Sequence, residues 1–143
     1  MAIKQISAFV ENKKGALADV LKCFSDRGVG LRAMTIADTK DFGILRVIVD
    51  DLAGGTMALQ NAGFVYSITD VVAVEVADVP GGFASALVVL MKADIDIEYT
   101  YAFVLESGKR ACAILRLSDT EAGEKALMEA GIPLIGQDEI LRI

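Results

Sequence analysis

Lys14-Gly15-Ala16-Leu17-Ala18 and Pro80-Gly81-Gly82-Phe83-Ala84 are two versions of one stretch, set 66 residues apart in a chain of 143. Working outward at that offset, Leu21 meets Leu87, Val29 meets Ile95 and Leu31 meets Ile97, while upstream Ile6, Ala8 and Val10 meet Val72, Val74 and Val76. Further on, Leu59 and Ala62-Gly63-Phe64 meet Leu127 and Ala130-Gly131-Ile132 at an offset of 68. The two extra residues fall in a hairpin, near Thr39–Gly43 in one copy and Leu105–Arg110 in the other. Turns are where a structural repeat absorbs a change of length. The chain therefore reads as a duplication, residues 1–71 and residues 72–143.

Each copy spells the same order of elements. Ile3–Val10 is rich in β-branched and apolar residues and reads as a strand. After the turn Glu11-Asn12-Lys13-Lys14-Gly15, Ala16, Leu17, Val20, Leu21 and Phe24 recur at helical spacing, and Gly28 is placed to end the helix. Val29–Asp38 and Ile44–Val49 read as strands joined by Thr39-Lys40-Asp41-Phe42-Gly43. Asp50 or Asp51 caps a second helix that stops at Gly63, and a strand from Phe64 closes the unit. In the second copy Val71–Val76 is a strand and Gly82–Lys92 a helix. Ile95, Ile97, Tyr99, Tyr101 and Phe103 alternate with smaller or polar residues as one apolar strand face. Ala111–Leu117 is the next strand, Ser118-Asp119-Thr120-Glu121 reads as a capping box opening a helix that Gly131 stops, and Ile132–Ile143 holds a short last strand. The order βαββαβ predicts an α+β fold of two ferredoxin-like repeats, each an antiparallel sheet with its helices on one face.

Composition narrows the chemistry. With 54% hydrophobic and 24% charged residues the chain is not disordered. Val79 to Met91, its longest apolar run, is broken by Gly81, Gly82 and Ser85 and falls short of the ~18 residues of a membrane span. The start Met-Ala-Ile-Lys-Gln-Ile-Ser has no apolar export segment, so a cytoplasmic protein is expected. Histidine is absent, which removes Ser-His, Cys-His and His-metal mechanisms. The two cysteines, Cys23 and Cys112, form no C-x-x-C pair and read as reduced thiols in apolar surroundings. Residues 1–71 carry 8 basic and 8 acidic side chains, residues 72–143 carry 6 and 12, and no basic stripe invites nucleic acid or an anionic membrane. No metal site and no cofactor are expected.

Three motifs compete for attention. Gly28-Val29-Gly30-Leu31-Arg32-Ala33 matches the dinucleotide fingerprint G-x-G-x-x-A, with Asp50 at a suitable distance. It follows a helix and opens a strand, the reverse of what that fingerprint needs. Asp38, Asp41, Asp50 and Asp51 sit at strand ends and turns, where aspartate serves the local backbone. The third motif is the pair of turns Asn12-Lys13-Lys14-Gly15 and Asp78-Val79-Pro80-Gly81-Gly82. Each ends with glycine at the start of a helix, where free N–H groups and the positive end of the helix dipole suit a carboxylate. Lys14 adds charge, and Asn12 and Asp78 are placed to orient an ammonium or amide. A plain tight turn is the other reading of the same residues.

The turn of form Asn/Asp-x-Pro-Gly, the Ala-Leu-Ala or Phe-Ala helix start and the βαββαβ order resemble the ACT domain, in two copies over nearly the whole chain. Met34-Thr35-Ile36-Ala37-Asp38-Thr39-Lys40-Asp41-Phe42-Gly43-Ile44-Leu45-Arg46 resembles the second and third strands of small bacterial tandem ACT proteins. The resemblance implies a small ligand, typically an amino acid, held where ACT modules meet by the loop before the first helix. Carried onto this chain, it implicates Asn12, Lys14, Gly15, Ala16 and Leu17, and Asp78, Pro80, Gly81, Gly82 and Phe83, with Met34, Ile36, Tyr99 and Tyr101 as a facing wall. Lys14 stands where the family has proline, and Asp78 where it has asparagine, so the two sites are expected to differ. The resemblance implies a non-catalytic, amino-acid-binding regulator, a homodimer or larger, acting on a separate enzyme of amino-acid metabolism. The alternative is a ligand-free interaction subunit that assembles with such an enzyme, using the strand of Tyr99, Tyr101 and Phe103 as its surface.

Overall fold

The computed structural model describes residues 2–38 and 40–143. It forms two compact units, Lys4–Thr69, and Asp70–Ile143 with Ala2 and Ile3 from the chain's start. The first contains β1 (Ile3–Glu11), α1 (Ala16–Asp26), β2 (Leu31–Asp38), β3 (Phe42–Val49), α2 (Leu52–Ala62) and the start of β4 (Tyr66–Ala77). The second contains the rest of β4, α3 (Gly82–Lys92), β5 (Ile97–Glu106), β6 (Arg110–Leu117), α4 (Thr120–Glu129), β7 (Leu134–Ile135) and a last turn, α5 (Gln137–Ile140). The strand expected from Phe64 and the strand expected at Val71 are one continuous strand, β4. The short turn α5 was not foreseen.

In the first unit the strands lie in the order β2-β3-β1-β4 and in the second β5-β6-β4-β7. The registered pairs β1–β3, β2–β3, β4–β6, β5–β6 and β4–β7 are antiparallel. This is the ferredoxin-like arrangement twice. Ile6, Ala8, Val10, Leu45, Val47 and Val49 bury one sheet face of the first unit against Val20 and Phe24 of α1 and Leu59 of α2. Val72, Val74, Ala113, Leu115 and Leu117 do the same in the second unit, against Ala86 and Leu90 of α3 and Leu127 of α4.

The four long helices end alike. After α1, Gly28 (φ 71°) donates its N–H to Ser25 and Val29 donates to Phe24. Gly63, Asp94 and Gly131 repeat the pattern after α2, α3 and α4. These are Schellman motifs, which require a left-handed residue. Asp94, at φ 59°, is among the described residues the only non-glycine with positive φ.

The same geometry disposes of the apparent dinucleotide fingerprint. Gly28 closes α1. The Gly30 N–H donates to Asp50 Oδ1 at 2.8 Å, and a Cβ on Gly30 would overlap that carboxylate. Asp51, one residue on, is the N-cap of α2 and accepts from the Gly54 N–H. In the second unit the Asp96 N–H donates to Ser118 Oγ at 3.0 Å, and Asp119 caps α4 by accepting from Ala122. Ser118 is therefore the counterpart of Asp50, and the capping box expected at Ser118 is replaced by a simple Asp119 N-cap one residue later, with Ala122 at the third helical position.

A second correction concerns β5. Its pairing with β6 shifts between Ile97 and Tyr99. Directly paired residues share a face. Ile97, opposite Leu117, looks toward the helices, whereas Tyr99, Tyr101 and Phe103, opposite Arg116, Ile114 and Cys112, lie on the other face. The single apolar face read from the alternation is two faces joined by a bulge.

Candidate functional site

The turn from β1 into α1 is short and tied at both ends. Gly15, at φ 87°, is the N-cap of α1, and no side chain caps the helix. Gly81, at φ 83°, opens α3 in the same way. The contrast with the aspartate-capped α2 and α4 is consistent across both units. Helix starts without a side-chain cap leave backbone N–H groups for water or a ligand.

Beside the start of α1 lies a cavity of about 420 Å³. Its floor is Val10 and Ala16, both buried. One wall is Glu11, Lys13 and Asp19, and the opposite wall is the α2–β4 turn, Ala62-Gly63-Phe64-Val65. Phe9 donates its backbone N–H to Val65, which brings that turn alongside β1. Phe9 and Phe42 complete the rim. Their rings meet edge to face, with centroids 6.5 Å apart and planes at 87°. Phe9 is 51% exposed, Phe42 50% and Val65 65%, so this rim presents apolar surface to solvent. Lys13 pairs with Glu11 at 2.9 Å, and that bond to the carboxylate raises the lysine's pKa. A pair this exposed contributes little to stability.

The second unit has a cavity in the equivalent place, of about 220 Å³. It is lined by Glu75, Val76, Ala77, Gly82, Ser85, Ala86 and Gly131-Ile132-Pro133. Glu75 and Arg110 take the positions of Phe9 and Phe42 and form an ion pair of 2.6 Å. Gly82 takes the place of Ala16. A Cβ there would overlap the Ala77 carbonyl oxygen, so α3 starts closer to its strand than a side chain allows. A larger depression, of about 600 Å³, lies at Gly136, Gln137, Asp138, Glu139 and Arg142 with Ala2. It is built almost wholly from one turn, whose side chains are mostly polar.

Of the residues expected at the site, Ala16 and Gly82 line the two cavities. Gly15 and Gly81 flank them as helix N-caps. Leu17 and Phe83 turn inward and pack on the two cores. Lys14 and Pro80 are exposed, and Lys13, not Lys14, reaches the cavity. Asn12 and Asp78 are occupied by their own hairpins. Asn12 Nδ2 donates to the Lys40 carbonyl at 3.4 Å, and Asp78 Oδ2 accepts from the Gly108 N–H at 2.7 Å. The hairpin turn expected to begin at Thr39 starts outside the described residues.

The second-strand residues part company. Met34 and Ile36, opposite Val47 and Leu45, look to the helix side of their sheet at its edge. Tyr99 and Tyr101 look to the other side of theirs. The two pairs do not occupy equivalent positions. Reading the sequence missed Phe9, Glu11, Lys13, Asp19, Phe42 and the turn Ala62–Val65. A phenylalanine at an odd position of β1, whose even positions make the core, was the available signal.

Among the described residues no group of three or more His, Cys, Asp or Glu is placed to hold a metal, and no helix is long and apolar enough to cross a membrane. Both cysteines are free. Burial, with the negative charges of Glu139 and Glu75, pushes the Cys112 thiol up from an ordinary 9.0 to about 12. That thiol is inert.

The ACT domain pair family matches the chain over residues 1–143. Protein BT0572 from Bacteroides thetaiotaomicron is 34% identical in sequence, with a TM-score of 0.94 over 100% of this chain and 98% of that one. The regulatory subunit of aspartate kinase from Thermus thermophilus, in its ligand-free form, is 18% identical, with a TM-score of 0.67 over 89% of this chain and 91% of that one. The corresponding subunit from Thermus flavus is 18% identical, with a TM-score of 0.63 over 90% and 92%. At 18% identity the likeness to these two is one of fold. No curated protein matches in sequence.

Proposed function

The chain belongs to the ACT domain pair family, and from that premise we propose that it is a non-catalytic regulatory protein that senses a free amino acid beside the turn preceding α1. The observation that carries this reading is the cavity of about 420 Å³ set against a helix start that no side chain caps. Small-molecule sites run from about 300 to 1,000 Å³ and combine apolar walls with a few polar groups. Val10, Ala16 and Phe64 supply the apolar surface, and Glu11, Lys13 and Asp19 the polar groups. A zwitterion matches that set. Its carboxylate suits Lys13 and the N–H end of α1, and its ammonium suits Glu11 and Asp19. The regulated enzyme is a separate chain of amino-acid metabolism, and the working form is a homo-oligomer.

A thermal-shift screen of the twenty amino acids tests the reading. A ligand at 100 times its dissociation constant stabilises the fold by about 2.7 kcal/mol, which is several degrees of melting temperature at this size. A shift with one amino acid or a related few is the expected result. No shift with any of them sinks the reading.

The second reading, a ligand-free assembly subunit, draws on β2. That strand is the edge of the first unit's sheet and carries the exposed Met34 and Ile36. Unpaired apolar edges invite a partner strand. Analytical ultracentrifugation of the chain and of a Met34→Lys/Ile36→Lys variant tests this edge, since equal sedimentation would remove it from any self-assembly.

A further inference from the structure

Building on the ligand reading above, we propose that the first repeat's cavity selects amino acids with a large apolar side chain, aromatic first, and that the equivalent place in the second repeat binds none. The two places correspond in strand register, so their differences can be read residue by residue. Glu11, Lys13 and Asp19 of the first become Ala77, Val79 and Ser85 of the second. All three charged groups that complement a zwitterion are thereby replaced by neutral ones. The volume falls from about 420 Å³ to about 220 Å³, below the range of small-molecule sites.

The rim sets the side-chain class. Phe9 and Phe42 stand half exposed at the mouth of the cavity, already edge to face. A third ring extends such a pair by the same quadrupole geometry, and its burial would also cover Val65. Leaving three apolar side chains in water is unfavourable, and a ligand ring or branched chain seated on them relieves that cost. A small or charged side chain would leave them wet. In the second repeat Glu75 and Arg110 satisfy one another across the same two strands and offer no apolar seat. The Glu11–Lys13 pair is exposed, so exchanging its partners for those of a ligand costs little.

Heteronuclear NMR titration with L-phenylalanine, L-leucine, L-alanine, L-aspartate and L-lysine tests this. Phenylalanine should bind tightest, leucine next, and the other three about tenfold or more weakly, with amide shifts at Phe9, Lys13, Gly63 and Val65 and none at Gly82 or Ile132. The double variant Phe9→Glu/Phe42→Arg grafts the second repeat's ion pair onto the first, at positions where that pair is already compatible with the fold. It should lower phenylalanine affinity about tenfold or more. Lys13→Gln, at a side chain 67% exposed, should weaken every amino acid alike. Tighter binding of alanine, aspartate or lysine would overturn the selectivity while leaving the amino-acid reading standing. Shifts centred on the second repeat, or undiminished phenylalanine binding in the double variant, would overturn the assignment of the site. Silence with all five overturns the selectivity, and silence with all twenty in the thermal-shift screen overturns the amino-acid reading itself.

Discussion

Phe9 and Phe42 in the first repeat, and Glu75 and Arg110 in the second, stand at the same two places across the same pair of strands. One copy holds an edge-to-face ring pair and the other an ion pair of 2.6 Å. Around them the backbone is nearly invariant. Gly15 and Gly81 open α1 and α3, Asp51 and Asp119 cap α2 and α4, and Asp50 and Ser118 each accept an N–H from the residue before a strand. The frame that makes a cavity has been kept twice, and the chemistry that fills it has diverged. A fold fixes where a site is, and side chains decide what it does.

That comparison can be broken most sharply at the first residue of each helix. Gly82→Ala drives a methyl into the Ala77 carbonyl oxygen and should cost about 2–3 kcal/mol. Ala16→Gly, at the equivalent place, should cost about 1 kcal/mol. Urea denaturation of both variants checks it, and equal losses would mean that α1 and α3 seat alike. Alkaline stability comes next. In the folded chain Cys112 stays protonated up to about pH 12, while in the unfolded chain it ionises near 9.0. Its contribution is complete below pH 9 and is lost as pH rises toward 12, at no more than about 1.4 kcal/mol per pH unit. Cys112→Ala should therefore lose less stability between pH 9 and 10.5 than the parent chain. Parallel curves would refute the assignment.

The two glycine N-caps should behave as a matched pair. Gly15→Ala and Gly81→Ala both force an L side chain to positive φ, with open space around the new methyl, at roughly 1 kcal/mol each. Unequal costs would show that the turns differ in backbone as well as in side chains. The smallest effect is expected at the end of the first helix of each copy. Asp94→Gly should stabilise by about 0.5–1 kcal/mol, and Gly28→Asp should destabilise by a similar amount. Calorimetry of the pair distinguishes this from a specific role for the Asp94 carboxylate, which would make both variants less stable.

Much of this was legible in the residues. The duplication, the βαββαβ order, the helix Gly82–Lys92 and the stops at Gly28, Gly63 and Gly131 all follow from spacing, because helix ends and apolar periods are local. What failed was non-local. The bulges between Leu31 and Ala33 and between Ile97 and Tyr99 leave no mark on an alternating pattern, because alternation counts residues and a bulge changes partners. Asn12 and Asp78 looked available to a ligand because their partners are backbone groups 28 and 30 residues away. The cavity wall at Ala62–Val65 is brought to β1 by a tertiary hydrogen bond that no local motif announces.

The bonds of Asn12 and Asp78 carry a consequence for how such a pair of repeats ages after duplication. At the same point of the hairpin, one copy offers a carbonyl to an amide and the other an N–H to a carboxylate. Aspartate in place of Asn12 would set acceptor against acceptor, whereas asparagine in place of Asp78 can turn its amide oxygen to the same N–H, so a single mutation meets resistance in one direction only. In the first copy the loop and the side chain must change together, which makes the divergence one-sided. Recombination between the copies would yield a mismatched hairpin only where the aspartate met the carbonyl.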